Sequence, residues 1–173
     1  MEIKNITVDM GDFGRMKLDK TVDELIVLAV KDPLTDTFNR NVLSELRSKL
    51  EHEHIYMAMI DVDHLKQIND IYGHIVGDMV LKQVAAQLQK VSPTVFRLGG
   101  DEFLIVSSKS LMNLQVPQAT VGAMFKPACL SFGDTMEAAD RLLYAAKHSR
   151  TPKSDRYDYS PNDMREIFGL PRI

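Results

Sequence analysis

The clearest hydrophobic pattern in the chain is the nearly uninterrupted apolar run of residues 55–60, which leads into Asp61, Val62 and Asp63. A run that is apolar at every position predicts a central strand covered on both faces of its sheet. Side chains alternate along a strand, so Asp61 and Asp63 are expected on one face, at the carboxyl end where open sheets bind ligands. Two like charges there are stabilised by a nearby cation. Helix capping by Asp63 is an alternative that explains only one of the two acids.

Apolar residues recur at helical spacing in several other stretches of the chain. The first covers residues 18–30, begins with a Thr21–Glu24 capping box, and ends before Pro33. This N-terminal helix could act as a dimerisation stalk or pack on its own domain. Further helices are predicted over residues 42–50, over a short segment 66–70 closed by Gly73, from Gly77–Asp78 to residue 88, and over residues 136–148.

A Gly-Gly pair, Gly99 and Gly100, separates two short β-prone runs at residues 94–96 and 104–106. This arrangement predicts a β-hairpin, and glycines there permit positive φ and close approach of a ligand to the backbone. Asp101 and Glu102 follow at once. Either they are the acids of a solvated turn, or they join Asp61 around a divalent metal, since this hairpin is expected beside the residue 55–60 strand.

The remaining segments carry weaker signals. Residues 1–8 alternate weakly, as in a short strand, and residues 32–40 form a turn-rich connector. Pro117 and Gly122 oppose a full helix over residues 107–128, and an apolar stretch at 128–133 predicts a later strand. The tail, residues 152–173, either docks on the domain or a partner or is disordered. His52 and His54 are predicted to be surface residues rather than metal ligands.

Composition narrows the class of protein. A chain of 173 residues suits one domain with modest extensions, and a net charge of −3 gives no general attraction for nucleic acid. The single cysteine, Cys129, excludes an intrachain disulfide and is expected in the core. No apolar run approaches the ~20 residues of a membrane span, and no signal-peptide pattern is present. We therefore predict a cytoplasmic protein without nucleic-acid or membrane partners.

The order of the motifs resembles the GGDEF family of bacterial diguanylate cyclases. Residues 61–78 read DVDHLKQINDIYGHIVGD and residues 99–103 read GGDEF, while residues 32–40 and 139–147 match the family's flanking motifs. The resemblance implies an α+β fold, a ferredoxin-like βαββαβ palm of the nucleotide-cyclase and polymerase type with a central antiparallel sheet. Here the palm is compacted after the hairpin and preceded by an N-terminal helix. The implied organisation is an N-terminal extension (1–31), a GGDEF domain (32–151) and a tail (152–173).

The resemblance also implies an activity, the condensation of two GTP molecules into cyclic di-GMP and two pyrophosphates. In that family two GTP-loaded domains face each other as a homodimer, and each 3′-hydroxyl attacks the α-phosphate of the other nucleotide. The alternative is a catalytically silent module that binds GTP or cyclic di-GMP as a regulator. A sensor or regulatory partner could act through the N-terminal helix or the tail.

Site residues are implied by matching positions. Asp61, Asp101 and the carbonyl of Val62 match ligands for Mg²⁺ or Mn²⁺, with two ions per site, and Asp61, Asp101 and Glu102 match the catalytic acids, with the general base left open. Asn69 and Asp78 match the guanine-binding pair, since an Asp carboxylate accepts from guanine N1–H and its amine. The other substrate-binding matches are His64, Leu65, Lys66, Gly99, Gly100, Lys147 and Arg150.

The chain departs from the family pattern at a few positions. Leu65 replaces the usual phenylalanine, Asp36 replaces a glycine, and Arg150 stands one place early, with Lys153 as a competing phosphate contact. The family's Arg-x-x-Asp inhibitory motif is not found before the hairpin, where residues 89–94 read QKVSPT. Product feedback at that position is therefore not expected.

Overall fold

In the computed structural model of the protein, the described residues are 6–9, 11–18 and 29–149. Apolar runs of strand length alternate with segments of helical period, and each forms the corresponding element. The strands are β1 (Ile6–Asp9), β2 (Arg15–Leu18), β3 (Phe38–Asn39), β4 (Ile55–Val62), β5 (Val95–Gly99), β6 (Glu102–Ser107) and β7 (Ala119–Lys126). The helices are α1 (Arg40–Lys49), α2 (Leu65–Tyr72), α3 (His74–Val91) and α4 (Phe132–Ser149).

Strands β3 to β7 form a five-stranded sheet in the order β3-β5-β6-β4-β7. β3 pairs with β5 in parallel, and the other neighbours are antiparallel. β4 lies inside the sheet with β6 on one side and β7 on the other, which explains why its sequence is apolar nearly throughout. The predicted central strand is confirmed.

Each face of the sheet is covered by helices. α1 and α4 pack on one face, where Leu46 and Leu143 meet strand residues such as Leu104. α2 and α3 pack on the other, where Ile68 and Val84 belong to a cluster with other strand residues. Alternate side chains of β6 enter the two clusters, as the two-residue period of a strand requires. The α+β palm-like fold implied by the sequence is confirmed.

α2 and α3 meet at Gly73, which ends one helix and begins the next. Its φ of 84° and ψ of 162° lie in a region that glycine reaches without strain. α3 begins at His74, so the predicted start at Gly77–Asp78 is wrong by one turn. Gly77 and Asp78 lie inside the helix because this glycine break comes earlier than the Gly-Asp pair.

The segment after the hairpin is compacted, as predicted. Residues 108–118 connect β6 to β7 without a helix, and the later strand is Ala119–Lys126. The predicted strand at 128–133 is wrong, because Ser131 caps α4: its Oγ accepts from the N–H of Asp134 at 3.0 Å. α4 therefore begins at Phe132 rather than at residue 136. Cys129 lies in the turn before that cap and is exposed, so its predicted burial is also wrong.

Only part of the N-terminal extension lies within the described residues, namely 6–9, 11–18 and 29–31. β1 and β2 form a separate antiparallel pair, so Leu18 lies in a strand and not in the predicted helix. Ala29 and Val30 are helical, and Val30 is buried in the core. The intervening residues 19–28, including the predicted Thr21–Glu24 cap, and residues 150–173 lie outside the described residues. No helix within the described ranges is long and apolar enough to cross a membrane.

Candidate active site

The end of β4 lies directly beside the Gly-Gly hairpin. Asp61 is the register partner of Glu102 in β6 and of Thr120 in β7. The next residue, Val62, donates its N–H to the carbonyl of Asp101 at 3.0 Å. The prediction that the Asp61 strand and the hairpin are neighbours is confirmed, and the backbone of Asp101 is fixed against β4.

Asp61 has three charged neighbours at this edge of the sheet, Asp63, Asp101 and Lys147. Burial raises the pKa of its carboxyl group, and the negative charges of Asp101 and Asp63 raise it further. Lys147 near the end of α4 acts in the opposite direction, because its Nζ lies 2.7 Å from Oδ2 of Asp61. The site therefore concentrates negative charge that one lysine only partly offsets.

The hairpin turn is held by a side chain that the sequence analysis did not single out. Gly99 pairs with Glu102, and Gly100 (φ 53°) and Asp101 form the turn between them. Arg97 donates from Nε and Nη2 to the carbonyl of Gly100, at 3.1 and 2.7 Å. A guanidinium that binds one carbonyl twice fixes the turn that carries both acids.

The same guanidinium reaches Asp32, 65 residues earlier in the chain, where Nη1 donates to Oδ1 at 3.0 Å. Asp32 also accepts from the N–H and Oγ1 of Thr35, at 2.9 and 2.7 Å. Burial alone would raise the pKa of Asp32, but the hydrogen bonds from Thr35 and Arg97 outweigh it and lower the pKa. The connector at residues 32–35 thus supports the hairpin, and its only sequence signal is the flanking-motif match.

The turn between β4 and α2 presents helix amides to the same edge. His64 is the N-cap of α2 with φ of 60°, so Asp63 does not cap the helix. Asp63 instead accepts from Oγ1 of Thr120 at 2.6 Å. The first N–H groups of a helix have no partner within it. Those that follow His64, beginning with Leu65 and Lys66, are the groups for which the sequence predicts phosphate binding.

The predicted guanine-binding residues come together where α2 packs on α3. Asn69 is half-buried on α2 and Asp78 is exposed on α3. Gly77, directly before Asp78, faces the amide of Asn69 so closely that a Cβ there would overlap Oδ1. The glycine, one residue before Asp78, thus allows α3 to pack closely on α2 at Asn69.

Lys147 reaches Asp61 because α4 packs closely on β7. A Cβ at Gly122 in β7 would overlap the carbonyl of Ala139 and the N–H of Leu143, both backbone atoms of α4. Lys147 lies one turn after Leu143 on this helix. From the sequence, Gly122 was interpreted only as a residue that opposes helix. In the structure it determines how closely α4, the helix that carries Lys147, packs on β7.

Comparison with known proteins agrees with this arrangement. The family model described as "Diguanylate cyclase, GGDEF domain" matches residues 29–120, more than half of the chain. The chain belongs to the GGDEF family. The match ends inside β7, so it includes the hairpin, α2 and α3, whereas α4 with Lys147 lies beyond it.

Among curated relatives of this GGDEF chain, the diguanylate cyclase DgcP of Pseudomonas aeruginosa is 40% identical over 87 residues, which are 45% of this chain and 13% of DgcP. VdcA of Vibrio cholerae is 29% identical over 151 residues, covering 69% of this chain and 44% of VdcA. The chain thus spans less than half the length of these relatives. The fold also matches a solved structure, that of the coiled coil and GGDEF domain of DgcB from Caulobacter crescentus in complex with c-di-GMP. The TM-score is 0.63 at 26% sequence identity, and the match covers 73% of this chain and 85% of the DgcB chain.

The GGDEF family implies a divalent metal in general, and the acids of this chain fit one. The predicted ligands are hard oxygens, which Mg²⁺ and Mn²⁺ prefer. Burial raises the pKa of Asp61, and the charges of Asp101 and Asp63 raise it further, so a divalent cation at this carboxylate would relieve their repulsion. Within the described ranges no three Asp, Glu, His or Cys side chains are grouped closely enough to hold an ion. The predicted set needs only Asp61, Asp101 and the carbonyl of Val62. Arg150 and Lys153 lie outside the described residues.

Proposed function

We propose that this GGDEF domain is an active diguanylate cyclase, which condenses two GTP molecules into cyclic di-GMP and two pyrophosphates. The observation that supports the proposal most directly is the contact of Lys147 with Asp61 at 2.7 Å, beside the hairpin that carries Asp101 and Glu102. A cation, three acids and the first amides of a helix at one sheet edge suit a metal-bound triphosphate.

GTP would bind across the edge between β4 and α2. The first amides of α2 and the ammonium group of Lys147 suit the β- and γ-phosphates, with Gly99 and Gly100 leaving the hairpin backbone open to the nucleotide. Asn69 and Asp78 suit the guanine, because Asp78 accepts from N1–H and the exocyclic amine, which adenine lacks. This pairing favours GTP over ATP.

Asp61, Asp101 and the carbonyl of Val62 would hold Mg²⁺ or Mn²⁺, two per site, which when bound neutralises the triphosphate and stabilises charge at the reacting phosphorus. In the presence of metal and nucleotide, Lys147 would exchange its contact with Asp61 for one with the phosphates. Asp101 and Glu102, on the hairpin, would face the incoming 3′-hydroxyl, and one of them would accept its proton.

The chemistry requires two domains. The 3′-oxygen of one GTP forms a bond to the α-phosphorus of the other, and the bond to pyrophosphate breaks. The same exchange in the opposite direction closes the ring. Each domain carries one GTP, so the homodimer forms at least during catalysis. Residues 1–31 and 152–173 flank the cyclase domain (32–151), and we propose them as the sites where regulatory partners bind.

The test is incubation of the purified chain with GTP and Mg²⁺ at several protein concentrations, with products identified by mass spectrometry. We expect cyclic di-GMP, formed at a rate that rises faster than linearly with protein concentration. Asp101→Asn should abolish the product while thermal unfolding and GTP binding remain measurable. If the natural chain binds GTP but makes no cyclic dinucleotide at high concentration, the protein is a regulatory module instead.

A further inference from the structure

A pocket of about 420 Å³ lies between α1 and α4, on the opposite face of the sheet from α2 and α3. This volume falls within the range of small-molecule sites. Its floor is apolar and consists of Leu43, Met59, Leu98 and Met136. Its rim is charged and carries Arg40, Arg47, Glu102, Glu137 and Asp140.

The pocket is continuous with the candidate active site. Met59 precedes Asp61 by two residues in β4, so both side chains point to the same face, about 7 Å apart along the strand. Glu102, a predicted catalytic acid, belongs both to the hairpin beside Asp61 and to the rim of the pocket. A molecule in the pocket would therefore extend from the reacting centre in the direction away from Asn69 and Asp78.

The rim offers two uncommitted guanidinium groups. Glu137 is paired with Arg141 at 2.8 Å, whereas within the described part of the chain neither Arg40 nor Arg47 has an ion-pair partner or a side-chain hydrogen bond. Gly133 leaves room for the Arg47 guanidinium, since a Cβ there would lie only 2.5 Å from Nη2. The natural arrangement keeps a planar cation at the mouth of an apolar slot.

This combination suits a guanine base. An apolar floor accommodates a flat ring, and the arginine fork matches the adjacent acceptors O6 and N7 of guanine. The acids of the rim, Glu102 and Asp140, balance the charges of Arg40 and Arg47, so the rim has no net attraction for a phosphate.

We propose that the pocket between α1 and α4 receives the guanine base of the GTP carried by a second copy of this chain. The inference rests on the proposed function. The GTP bound by the chain that carries the pocket has its base at Asn69 and Asp78 of that chain, on the other face of the sheet, so that base cannot also fill the pocket. The reaction brings the second nucleotide to Glu102 from outside, and Arg40 and Arg47 then bind its O6 and N7. Each copy thus completes the substrate site of the other.

The test uses 7-deaza-GTP, in which N7 is replaced by a C–H group. Asn69 and Asp78 are proposed to read other atoms of the base, so binding to dilute, monomeric protein should be unchanged. Turnover by the natural chain should fall about tenfold, because the arginine loses one of its two acceptors on the base, a hydrogen bond of a charged donor. In Arg40→Ala/Arg47→Ala, turnover of GTP should fall, and 7-deaza-GTP should carry no further penalty. Arg15→Ala, an exposed arginine of the separate β1–β2 pair, should keep the full penalty.

A second readout does not depend on turnover. 3′-Deoxy-GTP lacks the attacking hydroxyl, so sedimentation of the loaded protein reports association alone. The natural chain should dimerise with this ligand, and the double variant should bind it with unchanged affinity and remain monomeric. The single variants Arg40→Gln and Arg47→Gln replace the double variant if its thermal unfolding shows that it does not fold.

Two results would overturn the inference: an equal 7-deaza penalty in the natural and variant chains, or no penalty in the natural chain. Nucleotide-dependent dimerisation of the variant equal to that of the natural chain would also contradict it. Failure of the proposed function has a different signature, because the natural chain would then make no cyclic product from GTP itself, and the inference would fall with it.

Discussion

Arg97 connects the hairpin turn to Asp32, donating to its Oδ1 at 3.0 Å while two other nitrogens bind the carbonyl of Gly100. Both side chains of the pair are mostly buried, at 13% and 18% exposure. Asp32→Ala leaves the guanidinium without its carboxylate and should lower the free energy of unfolding by about 2 kcal/mol. It should also reduce cyclase turnover, because the turn that carries Asp101 is loosened. Urea unfolding checks the first effect, with Glu45→Ala, an exposed acid of α1, as the control that should change little.

The same pair predicts a dependence of stability on pH. Hydrogen bonds from Thr35 and Arg97, acting against burial, lower the pKa of Asp32 below its ordinary value of 3.8 in the folded protein. A lowered folded pKa means that the stabilisation is complete well above pH 3.8 and is lost as pH falls through the folded value. The difference in unfolding free energy between the natural chain and Asp32→Asn should therefore be constant near neutrality and narrow in acid. Urea melts from pH 7 down to pH 3 measure it, and a difference that stays constant throughout would contradict the assignment.

Local sequence patterns predicted the parts of this fold that depend on local physics. The apolar run before Asp61, the break at Gly73 and the hairpin at Gly99–Gly100 each have a signal within a few residues. The resemblance added the site residues, and Asp61, Asp101 and Lys147 do meet at one edge.

The contacts that were missed, and the strand wrongly predicted at residues 128–133, depend on distant residues or on a helix cap. Nothing near Arg97 shows that its partner is Asp32, and nothing near Gly122 shows that a helix backbone lies over it. The apolar residues at 128–133 suggested a strand, but the Ser131 hydroxyl captures the N–H of Asp134 and begins a helix. Gly122, which the sequence pattern marked only as a residue that opposes helix, is present in β7 because α4 needs the space.

Gly77 should be irreplaceable only while Asn69 is present. A Cβ at Gly77 would overlap Oδ1 of Asn69, so Gly77→Ala should displace that amide, destabilise the α2–α3 contact and raise the KM for GTP several-fold. In an Asn69→Ala background the overlap is gone, and the same change should stabilise α3 by up to about 1 kcal/mol, the helix propensity of alanine over glycine. Thermal and urea unfolding of the four chains form a double-mutant cycle. Equal effects in both backgrounds would mean that the amide is not the obstacle.

Gly122→Ala tests the packing of α4 on β7. The added Cβ would meet the backbone of Ala139 and Leu143, which cannot rotate away, so we expect a loss of about 1–3 kcal/mol in stability. Because the helix is pushed outward, Lys147 should also withdraw from Asp61, and GTP binding should weaken although no ligand-binding side chain has changed. Gly133→Ala is the matched control for stability, since the added Cβ meets the movable end of Arg47 and should cost less. Similar losses in the two variants would argue against a backbone clash at Gly122.

Lys147 occupies the position at Asp61 where we propose that a metal ion and the triphosphate of GTP bind. Its Nζ lies 2.7 Å from Oδ2 of Asp61, so in the nucleotide-free protein it competes with any metal for that carboxylate. Lys147→Met keeps the apolar stem and removes the charge. It should weaken GTP binding about tenfold, through loss of a charge-assisted phosphate contact, yet tighten Mg²⁺ binding in the absence of nucleotide, because Asp61 no longer has a competing cation. Calorimetric titrations with Mg²⁺ and with GTP separate the two effects, and Lys82→Met, an exposed lysine of α3, should change neither. Changes of opposite sign in the affinities for Mg²⁺ and GTP would distinguish a shared site from local misfolding, because misfolding would weaken binding of both ligands. Unchanged Mg²⁺ binding would remove Asp61 from the set of metal ligands.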